Sequence, residues 1–151
     1  MPRWVQAGRR VLWHLPGGDK LPGLFKERRL PPRLLIVDDS RVSRMMIRAR
    51  VQTLQPNWVL EEAVTGDEAL VMAAQSAPDY VTMDVNMPGL NGFDAAGQLR
   101  QLAPNTRIVM LTANVQESSR ARAESIGLKF VQKPITDASM LQVIAHLTAA
   151  P

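Results

Sequence analysis

An α/β fold with a parallel five-stranded sheet, covered by helices on both faces, is predicted by two observations. Five short apolar or β-branched runs alternate with five helical segments between residues 33 and 150, and parallel strands need helical crossovers that land on the faces of the sheet. Four of those runs deliver polar residues at their ends: Asp38-Asp39, Asp84, Thr112 and Lys133-Pro134. In an open parallel sheet the carboxyl ends of the strands are where a site is built.

Leu34-Leu35-Ile36-Val37 reads as a buried strand, and Ser40 stands where an N-cap opens a helix. Val42, Met45, Met46, Ala49 and Leu54 keep helical spacing toward a core and leave Arg41, Arg44 and Arg48 on the solvated side. A second strand lies near residues 58–64, and Thr65-Gly66-Asp67-Glu68 opens a helix through about Gln75, broken by Pro78. The third strand, residues 79–84, enters turns at Pro88-Gly89 and Asn91-Gly92 before a helix through about Leu102. The fourth strand, residues 107–111, closes on Thr112, and the helix after it, near residues 116–126, ends at Gly127 as its C′ residue. A fifth strand over residues 129–132 and a last helix over about residues 137–147 complete the series.

The 151 residues suit one folded domain with an extension. Residues 1–32 carry seven basic and two acidic side chains, whereas the other 119 carry 11 and 12. The net charge of +4 therefore belongs to the N-terminal end and not to the folded part. With five prolines, four glycines and no sustained period, residues 1–32 read as a mostly disordered basic extension. Within it Trp4, Val11, Leu12 and Leu15 could share one face of a short amphipathic helix. The lack of cysteine removes disulfides and thiolate metal sites. No apolar run approaches the roughly 20 residues of a membrane span, and no secretory h-region is evident, so a cytoplasmic protein is expected.

Asp38, Asp39 and Asp84 on one rim would repel one another, and a small hard cation with oxygen ligands, most naturally Mg²⁺, relieves that repulsion. Mg²⁺ takes phosphate oxygens as further ligands, so the cluster points to phosphate chemistry. Lys133 adds a mobile positive charge for phosphoryl oxygens, and Thr112 a neutral hydroxyl donor. Asp84, carried by an apolar run straight into Asn86-Met87-Pro88-Gly89, is the candidate nucleophile. Taken singly each residue has a plainer role: Asp38 or Thr112 as a helix cap, Lys133 as a solvated lysine, the Pro-Gly segment as a turn. Their coincidence at strand ends carries the functional reading.

These residues resemble the response-regulator receiver domain, the CheY-like phospho-acceptor module of two-component signalling. The resemblance spans about residues 33–149 and rests on Leu35-Ile36-Val37-Asp38-Asp39-Ser40, Ala63-Val64-Thr65-Gly66-Asp67-Glu68-Ala69-Leu70, Met83-Asp84-Val85-Asn86-Met87-Pro88-Gly89-Leu90-Asn91-Gly92, Leu111-Thr112-Ala113 and Phe130-Val131-Gln132-Lys133-Pro134. It implies a flavodoxin-like sheet of strand order 2-1-3-4-5, with phosphorylation at Asp84. It implies Mg²⁺ held directly by Asp39 and Asp84, by Asp38 through water and by the Asn86 backbone carbonyl. Thr112 and Lys133 would bind the phosphoryl oxygens, and the Lys133-Pro134 peptide would be cis. Thr112 and Phe130 would form a switch, while Asn86 and Asn114 would tune hydrolysis. The implied donor is a histidine kinase or histidine phosphotransfer protein, with Arg41 and Arg44 as candidate contacts. The implied output is phosphorylation-dependent contact with a downstream protein, through the fourth helix, fifth strand and fifth helix. The resemblance thus implies a phospho-acceptor signalling protein, not an enzyme for a separate substrate, and a receiver that does not itself bind nucleic acid; because the sequence stops just past the last helix, a stand-alone receiver is expected.

Alternatives are a regulator whose basic extension binds nucleic acid or a membrane, a receiver cut from a longer regulator, and a small-molecule enzyme on the same fold. No Gly/Ser/Thr-rich phosphate loop follows the first strand, which speaks against a flavodoxin. Asn86 stands where an aspartate-nucleophile phosphatase keeps its general acid.

Overall fold

The computed structural model describes residues 3–7, 10–14, 28–113 and 117–149. The chain forms two compact units, residues 1–31 and residues 32–151. In the first unit β1 (Arg3–Ala7), β2 (Arg10–His14) and β3 (Arg28–Arg29) make an antiparallel sheet in that order. Trp4 stands opposite Trp13 and Val5 opposite Leu12. The expectation of disorder is corrected for these residues, and Trp4, Val11 and Leu12 lie on strands, not on a helix; Leu15 is outside the described residues. The physical reason is local. Two five-residue runs, each with a valine and a tryptophan, are separated by two residues in the sequence, and every proline and glycine of residues 1–32 lies outside the three strands.

The second unit alternates β4 (Arg33–Val37), α1 (Arg41–Leu54), β5 (Val59–Ala63), α2 (Gly66–Gln75), β6 (Tyr80–Asp84), α3 (Gly92–Leu102), β7 (Arg107–Thr112), α4 (Glu117–Ser125), β8 (Lys129–Gln132) and α5 (Asp137–Thr148). Its sheet is parallel throughout, in the order β5-β4-β6-β7-β8, which is 2-1-3-4-5 counted within this sheet.

Alternate strand residues feed two cores. Leu35, Val37, Val81, Met83, Ile108 and Met110 meet Ala69 and Ala73 of α2, Phe93 and Leu99 of α3, and Ala123 of α4. Leu34, Ile36, Val109, Leu111 and Val131 meet Ile47 and Val51 of α1 and Met140, Val143 and Leu147 of α5. With both faces covered, the inner strands β4 and β7 are apolar at successive positions.

The helices begin where side chains satisfy their free N–H groups. Ser40, Thr65, Asn91 and Thr136 accept from the backbone of Ser43, Glu68, Asp94 and Ser139, and Ser139 closes a reciprocal capping box with Thr136. Gly127 follows α4 at φ +72°, the left-handed conformation of a C′ glycine. The inward face of α1 differs from the expected one: Ile47 and Val51 are buried and Met46 packs on the core, but Val42 and Met45 are 65% and 59% exposed. Arg44 and Arg48 instead turn toward Glu62 of β5, which rotates the buried stripe away from Val42 and Met45. Among the described residues no helix is long and apolar enough to cross a membrane.

Candidate functional site

Strand register assembles the rim. Val37 pairs with Met83, so the next residues, Asp38 and Asp84, leave β4 and β6 side by side. The order reverses at this pair of strands, where open α/β sheets leave a crevice. Thr112 pairs with Gln132, which brings Thr112 and Lys133 to the same end. Asp38, Asp84 and Lys133 continue the alternation of Ile36, Tyr80 and Val131, the residues on the α1–α5 face, whereas Thr112 and Phe130 share that of Met110 on the α2–α3–α4 face.

One carboxylate oxygen from each of Asp38, Asp39 and Asp84 lies within 4.8 Å of the others. Asp38 and Asp84 are buried, 1% and 6% exposed, and Asp39 is open to solvent. Lys133 Nζ donates to Asp38 Oδ2 at 2.9 Å and lies 3.5 Å from Asp84 Oδ1. The Ser40 N–H donates to Asp38 Oδ1 at 2.8 Å, so Asp38 both shapes the entry to α1 and belongs to the cluster.

Burial pushes the Asp84 carboxyl up to about 6 from 3.8, and the Asp38 and Asp39 charges push the same way, against Lys133. Burial acts to lower the Lys133 pKa, but its hydrogen bond to Asp38 and the charges of Asp38 and Asp84 outweigh it, leaving the ammonium held above its usual range. One lysine thus faces three carboxylates. A donor set made only of hard oxygens, with a surplus of negative charge and one carboxylate reachable from solvent, fits Mg²⁺.

The end of β6 is held by close backbone packing. The Val85 N–H donates to Leu111 O at 3.1 Å, and the Gly92 N–H to Val85 O at 3.0 Å. A Cβ on Gly92 would lie 2.0 Å from Asp84 O, so only glycine lets α3 start against the strand end. The Asn-Gly pair that read as a turn is therefore the N-cap and first residue of α3. Gly89, in the preceding turn, takes φ +78°.

On the other side of the rim the Lys133 N–H donates to Thr112 O at 2.7 Å, and the Lys133-Pro134 peptide is cis. Thr112 is buried and Asn86 exposed. Phe130 is half-buried against the α2–α3–α4 core, with the Arg120 guanidinium 5.4 Å from its ring centre. Asn114 lies outside the described residues.

Arg44, expected on the solvated side of α1, and Glu62, which the sequence pattern did not single out, are linked to the cluster through the Asp38 backbone. Arg44 donates to the Asp38 carbonyl and to Glu62, and Glu62 also takes Arg48. Arg44 is thus tied down and not on a solvated face. The available signal was an acidic pair, Glu61-Glu62, inside a strand beside an arginine-rich helix.

Comparison with known proteins agrees with this geometry. Residues 34–145 match the model of a family described as the response regulator receiver domain. The chemotaxis protein CheY of Thermotoga maritima is 34% identical over 113 residues, which span 74% of this chain and 93% of that protein. A protein-glutamate methylesterase/protein-glutamine glutaminase of Anaeromyxobacter dehalogenans is 37% identical over 128 residues, 83% of this chain but only 34% of that one. Among solved structures, the chemotaxis protein CheY4 of Vibrio cholerae superposes with a TM-score of 0.70 at 28% identity, over 78% of this chain and 98% of its own.

Proposed function

Because the chain belongs to the response regulator receiver domain family, we propose that it accepts a phosphoryl group on Asp84 from a histidine kinase or histidine phosphotransfer protein and signals by phosphorylation-dependent protein contact. The observation that carries this reading is the placement of Asp84 at a strand end, between two further carboxylates and a lysine that contacts two of the three. A carboxylate oxygen of Asp84 attacks phosphorus in line, the phosphorus–nitrogen bond of the donor breaks, and the donor imidazole, already protonated on its other ring nitrogen, leaves as the neutral base, so that an acyl phosphate remains. Lys133 orients the phosphoryl oxygens, and Thr112 donates its hydroxyl to one of them. Asp38, Asp39, Asp84 and the Asn86 carbonyl would hold Mg²⁺, which supplies charge neutralisation for the transferring group. The new charge draws Thr112 inward, and Phe130 follows as the packing shifts between two states. The changed surface includes a cleft lined by Arg120, Lys129, Phe130 and His146, between α4, β8 and α5. The protein is thus a phospho-acceptor and not an enzyme for a separate substrate. It loses the group by its own hydrolysis at a moderate rate, tuned by Asn86 and Asn114, amides that orient water but are poor bases.

The T. maritima protein, matched over 93% of its length, supports an output made by the receiver itself, whereas the methylesterase supports a receiver joined to another unit. A second reading has its own observation: residues 1–32 hold five more basic than acidic groups, which favours binding of this unit to nucleic acid or an anionic membrane. The deciding test of the first reading is intact-protein mass after incubation with a small acyl-phosphate donor. A Mg²⁺-dependent phosphate adduct in wild type and none in Asp84→Asn is expected. No adduct in wild type would overturn the reading. In the same assay an Asn86 substitution is expected to change the lifetime of the adduct severalfold, and an unchanged lifetime would remove Asn86 from hydrolysis.

A further inference from the structure

We propose that Arg44 is a positioning residue for Asp39, acting through the peptide that joins Asp38 to Asp39. The inference rests on the phosphoryl-acceptor reading above. Arg44 sits near the start of α1 with only 13% of its side chain exposed. Its Nη1 donates to the Asp38 backbone carbonyl at 2.8 Å and its Nε to Glu62 Oε1 at 3.1 Å. Glu62 lies on β5 opposite Ile36 of β4. Its Oε2 accepts from Arg48 Nε and Nη2 at 3.0 and 2.8 Å, and Arg48 also reaches the Leu60 carbonyl at 3.3 Å. The anchor of Arg44 is therefore itself anchored. On the other side of the same residue, the Asp38 N–H donates to Ala63 O at 3.2 Å. The main chain of Asp38 is gripped at both its polar atoms.

A peptide unit is planar and stiff. Fixing the Asp38 carbonyl orients the rest of that plane, and with it the direction in which the Asp39 side chain leaves the backbone. Asp39 depends on this more than its neighbours do. Asp38 is held by the Ser40 N–H and by Lys133, and Asp84 lies beside Lys133. Among the described residues none donates a hydrogen bond to the Asp39 carboxylate, which is open to solvent, yet its oxygen is found with those of Asp38 and Asp84. Its place in the cluster is a backbone property, and Arg44 is the side chain that holds that backbone. Preorganising a ligand in this way lowers the entropy lost when a cation is bound.

The test uses the full chain and MgCl₂ alone. Calorimetric titration is paired with metal-free urea unfolding for wild type, Arg44→Met and Arg48→Met. Arg48→Met strips the other arginine from Glu62 but leaves the bond to the Asp38 carbonyl, so it separates loss of an ion pair from loss of the grip. Arg44→Met is expected to raise the Mg²⁺ dissociation constant about tenfold, with phosphoryl acceptance restored at saturating Mg²⁺. Arg48→Met is expected to leave the constant within about twofold of wild type at a similar loss of stability. Should Arg44→Met not fold, Glu62→Gln, which leaves the arginine but weakens its anchor, is expected to raise the constant as well. Equal constants in the two arginine variants overturn the proposal. A wild type that takes up no Mg²⁺ overturns the acceptor reading itself, and the inference with it, whereas Mg²⁺ uptake unaffected by Arg44 sinks the inference alone.

Discussion

Lys133 and Asp84 set the electrostatics of the site, and each gives a measurable consequence. The Asp84 pKa stands at about 6 in the folded, metal-free chain against an ordinary 3.8. Between those values the folded state binds more protons than the unfolded one, so this group's stabilising contribution is complete below about 3.8 and is lost as pH rises through about 6. Metal-free Asp84→Asn is therefore expected to gain stability over wild type as pH is raised from about 4.5 to 7.5. Urea midpoints at the two pH values check this, and a gain independent of pH would refute it. Lys133 acts against the rise, so Lys133→Met is expected to move the Asp84 carboxyl above about 6 in a carboxyl-carbon NMR titration. Two residues before Asp84, the Thr82 hydroxyl is buried and finds no hydrogen-bond partner among the described residues. Thr82→Val keeps the shape and removes that desolvated oxygen. It is expected to stabilise the fold by about 1 kcal/mol, read from the same urea curves.

At the level of elements, α3 and α4 are held in opposite ways. The start of α3 lies so close to the end of β6 that Gly92→Ala is expected to cost about 3 kcal/mol and to slow phosphoryl acceptance by displacing the Asp84 backbone. Alpha4 buries only Ala123 among its residues of described burial. Polar contacts link it to its neighbours: Arg122 with Asp94 and over the Phe93 ring, and Arg120 over Phe130. Helices with so little apolar burial open first. Amide exchange in α4 is expected to be at least roughly tenfold faster than in α3, and equal protection would refute this account. Such a helix suits the surface proposed above to change with phosphorylation. The face of α1 shows where periodicity misleads: Val42 and Met45 keep helical spacing yet lie outside, because Glu62 on the neighbouring strand draws Arg44 and Arg48 inward.

In the whole molecule, the fold and the candidate site are both carried by residues 34–147, and the surplus positive charge by the other unit. Deletion of residues 1–31 is expected to leave the unfolding midpoint and phosphoryl acceptance unchanged while abolishing any salt-sensitive binding to DNA or anionic vesicles. Loss of acceptance on deletion would show that the units depend on each other. The sequence by itself determined the parallel sheet, the alternation of its elements and the meeting of Asp38, Asp39, Asp84, Thr112 and Lys133 at one rim. Those follow from local signals: apolar runs of strand length, helix caps, and polar residues at the ends of strands. Pattern reasoning lost the N-terminal strand pair because proline and glycine counts outweighed two short paired runs. Only the tertiary structure decided that Gly92 touches the Asp84 carbonyl, that the Thr82 hydroxyl is left without a partner among the described residues, and that Arg44 faces inward. Each of these depends on which atoms a distant strand brings near, and spacing along one segment carries no record of its neighbour across the sheet.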